Sequence, residues 1–186
     1  MKLFLSNLFL MTGLIYSTSS HGQNVDPYLQ ALTSHSIAVN WKTSAAVASP
    51  VVIFGTAANM LTQTSNGTSK VLSDVGYPGN YFYHTVKLHG LAPANKYYYQ
   101  VISGNDSSEI CSFRTLPASG LAPNASGKLR FLILGDNQIK SQPRYDSLMV
   151  AAKRKMTELY GPDFNDSVSV ILNLGDQVDV GTLDHY

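Results

Sequence analysis

At 186 residues the chain has room for one large or two small domains. Its 13 Lys+Arg against 12 Asp+Glu leave a formal net charge of +1, which removes any electrostatic case for nucleic acid or an acidic membrane surface as partner. Charged residues make up only 13%, so polarity rests on Ser, Thr, Asn and Gln, and the single cysteine, Cys111, excludes an intramolecular disulfide.

The chain opens like an export signal. Met1-Lys2 is a short basic start, and Leu3 to Tyr16 is mostly apolar, broken by Ser6, Asn7 and Thr12. Ser17-Thr18-Ser19-Ser20 supplies small residues for cleavage, expected between Ser20 and Gln23. The stretch is too short to span a bilayer, so residues 1–22 are expected to be a signal peptide and the mature protein secreted, periplasmic or extracellular. No other stretch is long and apolar enough for a membrane helix. Asn-x-Ser/Thr sequons at Asn66, Asn105, Asn124 and Asn165 matter only in a cell that N-glycosylates.

Short strands and turns follow. Ser36 to Lys42 alternates, with Ile37, Val39 and Trp41 on one face. Val51 to Phe54 is an apolar run ended by Gly55. Tyr81 to Leu88 puts Phe82, His84, Val86 and Leu88 on one face, and Lys96 to Val101 aligns Tyr97, Tyr99 and Val101. Gly104-Asn105-Asp106 turns the chain, and Glu109 to Thr115 closes the set with Cys111 and Phe113 pointing the same way. Such a series implies a β-sandwich. Trp41, Tyr97 and Tyr99 read as core, His84 as a satisfied interior histidine, and Cys111 as a buried, inert thiol. No catalytic group assembles in this half. Leu91-Ala92-Pro93 followed by Tyr97-Tyr98-Tyr99 resembles the tyrosine-corner region of fibronectin type III domains, and Trp41 and Ser112-Phe113-Arg114-Thr115 fit the same module.

The stretch from Leu116 to Lys128, rich in Pro, Gly and small polar residues, reads as a linker. The expected organisation is a fibronectin type III-like β-sandwich over 26–116, a linker over 117–128, and the start of an α/β domain over 129–186.

In the last segment Leu129 to Leu134 and Val168 to Leu174 are apolar runs that read as strands buried on both faces. Between them Pro143 suits a first helical turn, and Tyr145, Leu148, Met149, Ala152, Met156 and Leu159 fall on one helical stripe ended by Gly161-Pro162. Lys153-Arg154-Lys155 in the second half favours the helix C-terminal dipole or a solvated face. Strand, helix, strand at this length implies parallel strands. Gly135-Asp136 and Gly175-Asp176 then end the two strands at one sheet edge, with the carboxylates about 5 Å apart if the strands are neighbours. Two unpaired carboxylates that close repel, and a cation between them removes the penalty. In two-metal hydrolases the ions lie roughly 3.5–4 Å apart, so one carboxylate can bridge both. The geometry favours a divalent or trivalent metal site. Asn173 reads as a structural hydrogen-bonder.

Taken together, the two halves resemble secreted purple acid phosphatases and the wider calcineurin-like metallophosphoesterases, in which a fibronectin-like domain precedes the metallophosphoesterase domain. The resemblance implies that Asp136 binds the first of two metal ions (Fe, Zn or Mn) and that Asp176 bridges both. Purple members carry a tyrosine where this chain has Asp179, so the implied centre is an ordinary one. Asp179 either orients ligands or is a turn residue. Gln138, where many relatives have histidine, binds metal or holds a water. The family's later Gly-Asn-His and Gly-His-x-His motifs do not follow before Tyr186, so the chain is expected to be the first third to half of such an enzyme, and inactive alone. The implied activity is hydrolysis of small phosphate monoesters. A phosphodiesterase or nucleotidase of the same superfamily and a non-catalytic extracellular binding or adhesion module are the alternatives.

Overall fold

The computed structural model describes residues 25–72, 81–121, 129–135, 142–162, 164 and 167–175. Antiparallel strands form two sheets. The first runs β1 (Tyr28–Gln30), β2 (Ile37–Thr43), β6 (Tyr81–Leu88), β5 (Thr68–Leu72) in spatial order. The second runs β4 (Gln63–Asn66), β3 (Val51–Gly55), β7 (Lys96–Ser103), β8 (Asp106–Ser107), with β9 (Cys111–Arg114) also paired to β7.

Alternation decides which side chains meet between the sheets. Ile37, Val39 and Trp41 of β2 and Val86 and Leu88 of β6 pack with Val52 and Phe54 of β3, Tyr97, Tyr99 and Val101 of β7, and Phe113 of β9. Each fully buried Val or Leu contributes roughly 1.5–3 kcal/mol of transfer free energy. Trp41 is 0% exposed and its Nε1 donates to Ser103 Oγ at 3.0 Å, so the indole is buried without an orphaned donor. Phe54, Tyr97, Tyr99 and Phe113 form an aromatic group with ring centroids 5.6–6.4 Å apart. The phenol of Tyr97 accepts the Ala92 N–H at 2.9 Å, the back-bond that defines a tyrosine corner.

The strands expected at 36–42, 51–54, 81–88, 96–101 and 109–115 correspond to β2, β3, β6, β7 and β9. Four further strands have no counterpart in the apolar pattern. β4 (Gln-Thr-Ser-Asn) carries no apolar residue, and β5 and the two-residue β8 lie at sheet edges, where few positions face the core. β1 is only three residues long. Cys111 corrects the expectation of a buried thiol. It is half-buried: it lies on the inner side with Phe113 and packs against the core, but as the first residue of β9 it is only partly covered.

Beyond the sandwich, β10 (Phe131–Leu134) and β11 (Val170–Asn173) pair in parallel, in register from Phe131↔Val170 to Leu134↔Asn173, with α1 (Gln142–Tyr160) between them in sequence. Gly161, at φ +84°, ends the helix by returning its N–H to Thr157 O at 2.8 Å, a left-handed cap that a side chain would strain. Met149, Ala152 and Met156 form the half-buried stripe, whereas Leu148 and Leu159 are exposed. Lys153, Arg154 and Lys155 are solvated. The helix runs to Tyr160, leaving them short of its last turn, which holds no basic residue.

The expectation that both strands are buried on both faces does not hold for the described residues. Phe131 and Ile133 are 49% and 57% exposed on one face, and Ile171 is 58% exposed on the other. Two strands and one helix have too few side chains to cover two apolar sheet faces.

Candidate functional site

The frame of the candidate site is the C-terminal edge of the β10–β11 pair. The parallel ladder continues one bond past the strands, with Leu174 N donating to Leu134 O at 2.8 Å. Gly135 and Gly175 sit at that edge. A Cβ built on Gly135 would lie 3.4 Å from Leu174 Cβ, an ordinary contact. Gly175 has φ +105°, a conformation that favours glycine, and its N–H bonds Asn173 Oδ1 at 3.1 Å. Asn173 therefore acts as a structural hydrogen-bonder, shaping the turn out of β11.

Asp136 and Asp176 each directly follow one of these glycines in sequence. Asp136, Gln138, Asp176 and Asp179 all lie outside the described residues, as do the 1–22 leader, His185, the Asn124 sequon and part of the Asn165 sequon. Among the described residues no group of three or more His, Cys, Asp or Glu is placed to hold a metal ion. What the described part supplies is the mounting: two parallel, adjacent strand ends, the position in open α/β sheets where ligands bind. The residues that would extend from it are hard oxygen donors, which suit Mg-, Mn-, Fe- or Zn-type cations. A cleft of about 970 Å³ lies between the sandwich and this unit, lined by Leu29, Leu32 and Phe113 on one side and by Leu132, Met156 and Phe164 on the other. It is lined mostly by apolar side chains, with Arg114 and Tyr28 also at its wall.

A second surface escaped the apolar pattern. On the outer face of the first sheet, pairing aligns Lys42 with Tyr83 and Tyr83 with Lys70, one row across three strands. Lys42 Nζ lies 4.9 Å from the Tyr81 ring centroid, and the Tyr28 hydroxyl donates to the Tyr83 hydroxyl. Burial, then that bond, raises the Tyr28 pKa well above its ordinary value, so it stays a neutral phenol. The alternation of β6 places Tyr81 and Tyr83 outward, but Lys70 was not legible because β5 gives no apolar signal.

In the first sheet's inner face, His84 is 0% exposed and hydrogen-bonded through both ring nitrogens, so it is a satisfied interior histidine. Tyr99 has its pKa raised by burial and by Cys111 beside it, which also fits a core role.

Comparison with known proteins agrees with the sandwich. The family model described as "Purple acid Phosphatase, N-terminal domain" matches residues 23–115, half of the chain. A purple acid phosphatase, PPD1, from yellow lupin (Lupinus luteus) seeds is similar in structure, with a TM-score of 0.57 at 19% identity over 82% of this chain and 29% of that one. The chain thus spans less than a third of the lupin protein's length. A computationally redesigned β-sandwich protein matches with a TM-score of 0.34 at 16% identity, over 52% of this chain and 98% of that one. No curated protein matches.

Proposed function

The chain belongs to the purple acid phosphatase N-terminal domain family, and from that premise we propose that it is the leading part of a secreted, metal-dependent phosphatase acting on small phosphate monoesters. The sandwich is its non-catalytic module. Residues 129–186 begin the metallophosphoesterase domain. One observation carries the reading: β10 and β11 are parallel neighbours whose ends, Gly135 and Gly175, share an edge and are each followed by Asp.

Two metal ions, when bound, would supply the Lewis-acid charge that binds phosphate oxygens and lowers the pKa of a water toward ~7. In this proposal Asp136 would help hold the first ion and Asp176 would serve as a ligand to both. Gln138 ligates or holds a water through its amide, and Asp179 orients its neighbours by hydrogen bonding. Gly175, at φ +105°, allows β11 to turn sharply, and in the proposal both carboxylates would leave the sheet at one edge. The sandwich contributes no reacting group.

The test uses the natural gene product. Its transcript is expected to continue into Gly-Asn-His and Gly-His-x-His motifs. The purified protein should carry two metal ions per chain by elemental analysis and hydrolyse an aryl phosphate monoester faster than a diester. Asp176→Asn should lower metal content and activity together, by 10²-fold or more in activity. A natural product that ends at Tyr186 and binds no metal would sink the proposal, and a preference for diesters or nucleotides would move it to those substrates within the superfamily.

A second reading, a binding module without catalysis, is favoured by the Lys42–Tyr83–Lys70 row. It leads one to expect salt-sensitive retention of the chain on an immobilised anionic polysaccharide, weakened by Lys70→Ala. Elution unchanged by salt and by Lys70→Ala would count against it.

A further inference from the structure

His84 lies inside a chain of short hydrogen bonds whose protons do not add up for a neutral ring. Its Nε2 is 2.8 Å from Thr43 Oγ1 and its Nδ1 is 2.8 Å from Ser69 Oγ. Thr43 Oγ1 also lies 2.7 Å from the Ala45 carbonyl, and Ser69 Oγ lies 3.0 Å from the Val47 carbonyl, both at donating geometry. The two carbonyls only accept. Each hydroxyl brings one proton, and a neutral imidazole brings one. Three protons therefore face four contacts. Only an imidazolium, with both nitrogens protonated, fills all four.

The neutral state must leave one contact without a proton, and the distances indicate which. The Thr43–Ala45 bond is short and local. The Ser69–Val47 bond is longer, and Ser69 is an exposed residue on the edge strand β5, free to turn its hydroxyl. In the neutral state Nε2–H donates to Thr43, Thr43 donates to Ala45 O, and Ser69 turns its hydrogen onto the Nδ1 lone pair. The Val47 carbonyl is then left to water. On protonation Nδ1–H donates to Ser69, whose hydrogen moves to Val47 O.

We propose that His84 is a proton switch that ties the 44–50 crossing between the two sheets to the edge of the first sheet, closing the Ser69–Val47 link when protonated and releasing it when neutral. The crossing leads from β2 into β3, and its far end is held separately by Gly67 N–H to Pro50 O at 2.9 Å. The proton comes from solvent, and no bond other than hydrogen bonds changes.

Among the described residues, the surroundings leave the ring as the titrating group. On β2, Trp41 packs on it with rings tilted by 36° and centroids 5.2 Å apart, and Lys42 occupies an opposite-face position. On β5, Lys70 alternates to the opposite face, as do Tyr81, Tyr83 and Lys87 on β6 itself. β4, which also approaches β6, carries no titratable residue. Across the core the described residues of the second sheet present the phenols of Tyr97 and Tyr99 and the thiol of Cys111. Burial lowers the His84 pKa from its ordinary 6.5, so the switch operates on the acid side of neutrality.

The test is nuclear magnetic resonance of the isotope-labelled 186-residue chain, titrated from pH 7.5 downward. At pH 7.5 the ring should be the Nε2–H tautomer. As it protonates, the Val47 carbonyl and the Ala48 amide, which share a peptide group, should shift with the ring's own midpoint while the Ala45 carbonyl stays still. In Ser69→Ala the ring should titrate at lower pH, having lost an acceptor for its cation, and the Val47 response should vanish. An Nδ1–H tautomer at pH 7.5, a ring that stays neutral until the chain unfolds, or a Val47 signal that ignores the ring would each overturn the proposal.

Discussion

Trp41 and Tyr97 illustrate how unevenly single residues carry this fold. Trp41 fills the space between the sheets and satisfies its own donor on Ser103, so truncation leaves both a cavity and an orphaned hydroxyl. Trp41→Ala is expected to cost about 3–5 kcal/mol, read as a shift of the urea midpoint at constant slope. Tyr97→Phe keeps the ring in place and removes only the acceptor of the Ala92 N–H. Ala92 is exposed, so water can replace the phenol, and the expected loss is about 1 kcal/mol. His84 adds a pH dependence whose sign follows from linkage. Burial lowers its folded pKa below 6.5, so the unfolded chain takes up the proton more readily. Its stabilising contribution is whole above about pH 6.5 and is lost as pH falls from there to the folded pKa. The wild-type melting temperature should decline across that window, and His84→Gln should flatten the slope whatever its absolute stability. A slope that persists in His84→Gln would assign the dependence to another group.

At the scale of elements, the weak points are where the chain crosses between sheets. Gly67 separates β4 of one sheet from β5 of the other, and its backbone passes directly over β6. A Cβ there would collide with the Thr85 carbonyl oxygen and lie 2.6 Å from Val86 Cγ2, and β6 is held on both sides by its neighbours. Gly67→Ala is therefore expected to cost about 1–3 kcal/mol, with most of the loss appearing as faster unfolding in stopped-flow measurements. A Gly67→Ala chain as stable as wild type would mean that the crossing can lift away from β6. The elements also show what an apolar pattern can and cannot report. β2, β6 and β7 were legible because each is central and alternates around a core. β4 and β5 were not, because edge strands bury few side chains and hold their place through backbone pairing with β3 and β6. The parallel strand–helix–strand unit was legible for the same reason as β2, since its apolar runs and the Gly161 stop have no other economical reading. Its exposure was not, because burial depends on what lies outside the unit.

For the whole molecule, the difference between the two parts should appear in unfolding. The sandwich has a continuous core from both sheets, whereas the β10–α1–β11 unit leaves Phe131, Ile133, Ile171 and Leu174 exposed, the last at 73%. Urea unfolding of the chain followed by far-ultraviolet circular dichroism is expected to show two transitions, helical signal being lost first. Tryptophan fluorescence reports Trp41 alone and should follow only the second. A single coincident transition would show that the two parts are energetically one. The same asymmetry bears on the proposed function, since the part that would mount metal ligands is the less covered.

Sequence by itself was enough for the periodicities, the turn at Gly104-Asn105, the tyrosine corner and the strand ends at Gly135 and Gly175, because each depends on residues near one another in the chain. Tertiary structure alone decided that Lys42, Tyr83 and Lys70 form a row, that Gly67 lies against β6, and that His84 meets Thr43 and Ser69 while both hydroxyls reach the same crossing. Those depend on strand order and register, which arise from pairing between distant segments, and a polar edge strand such as β5 declares its register only through the partner that holds it.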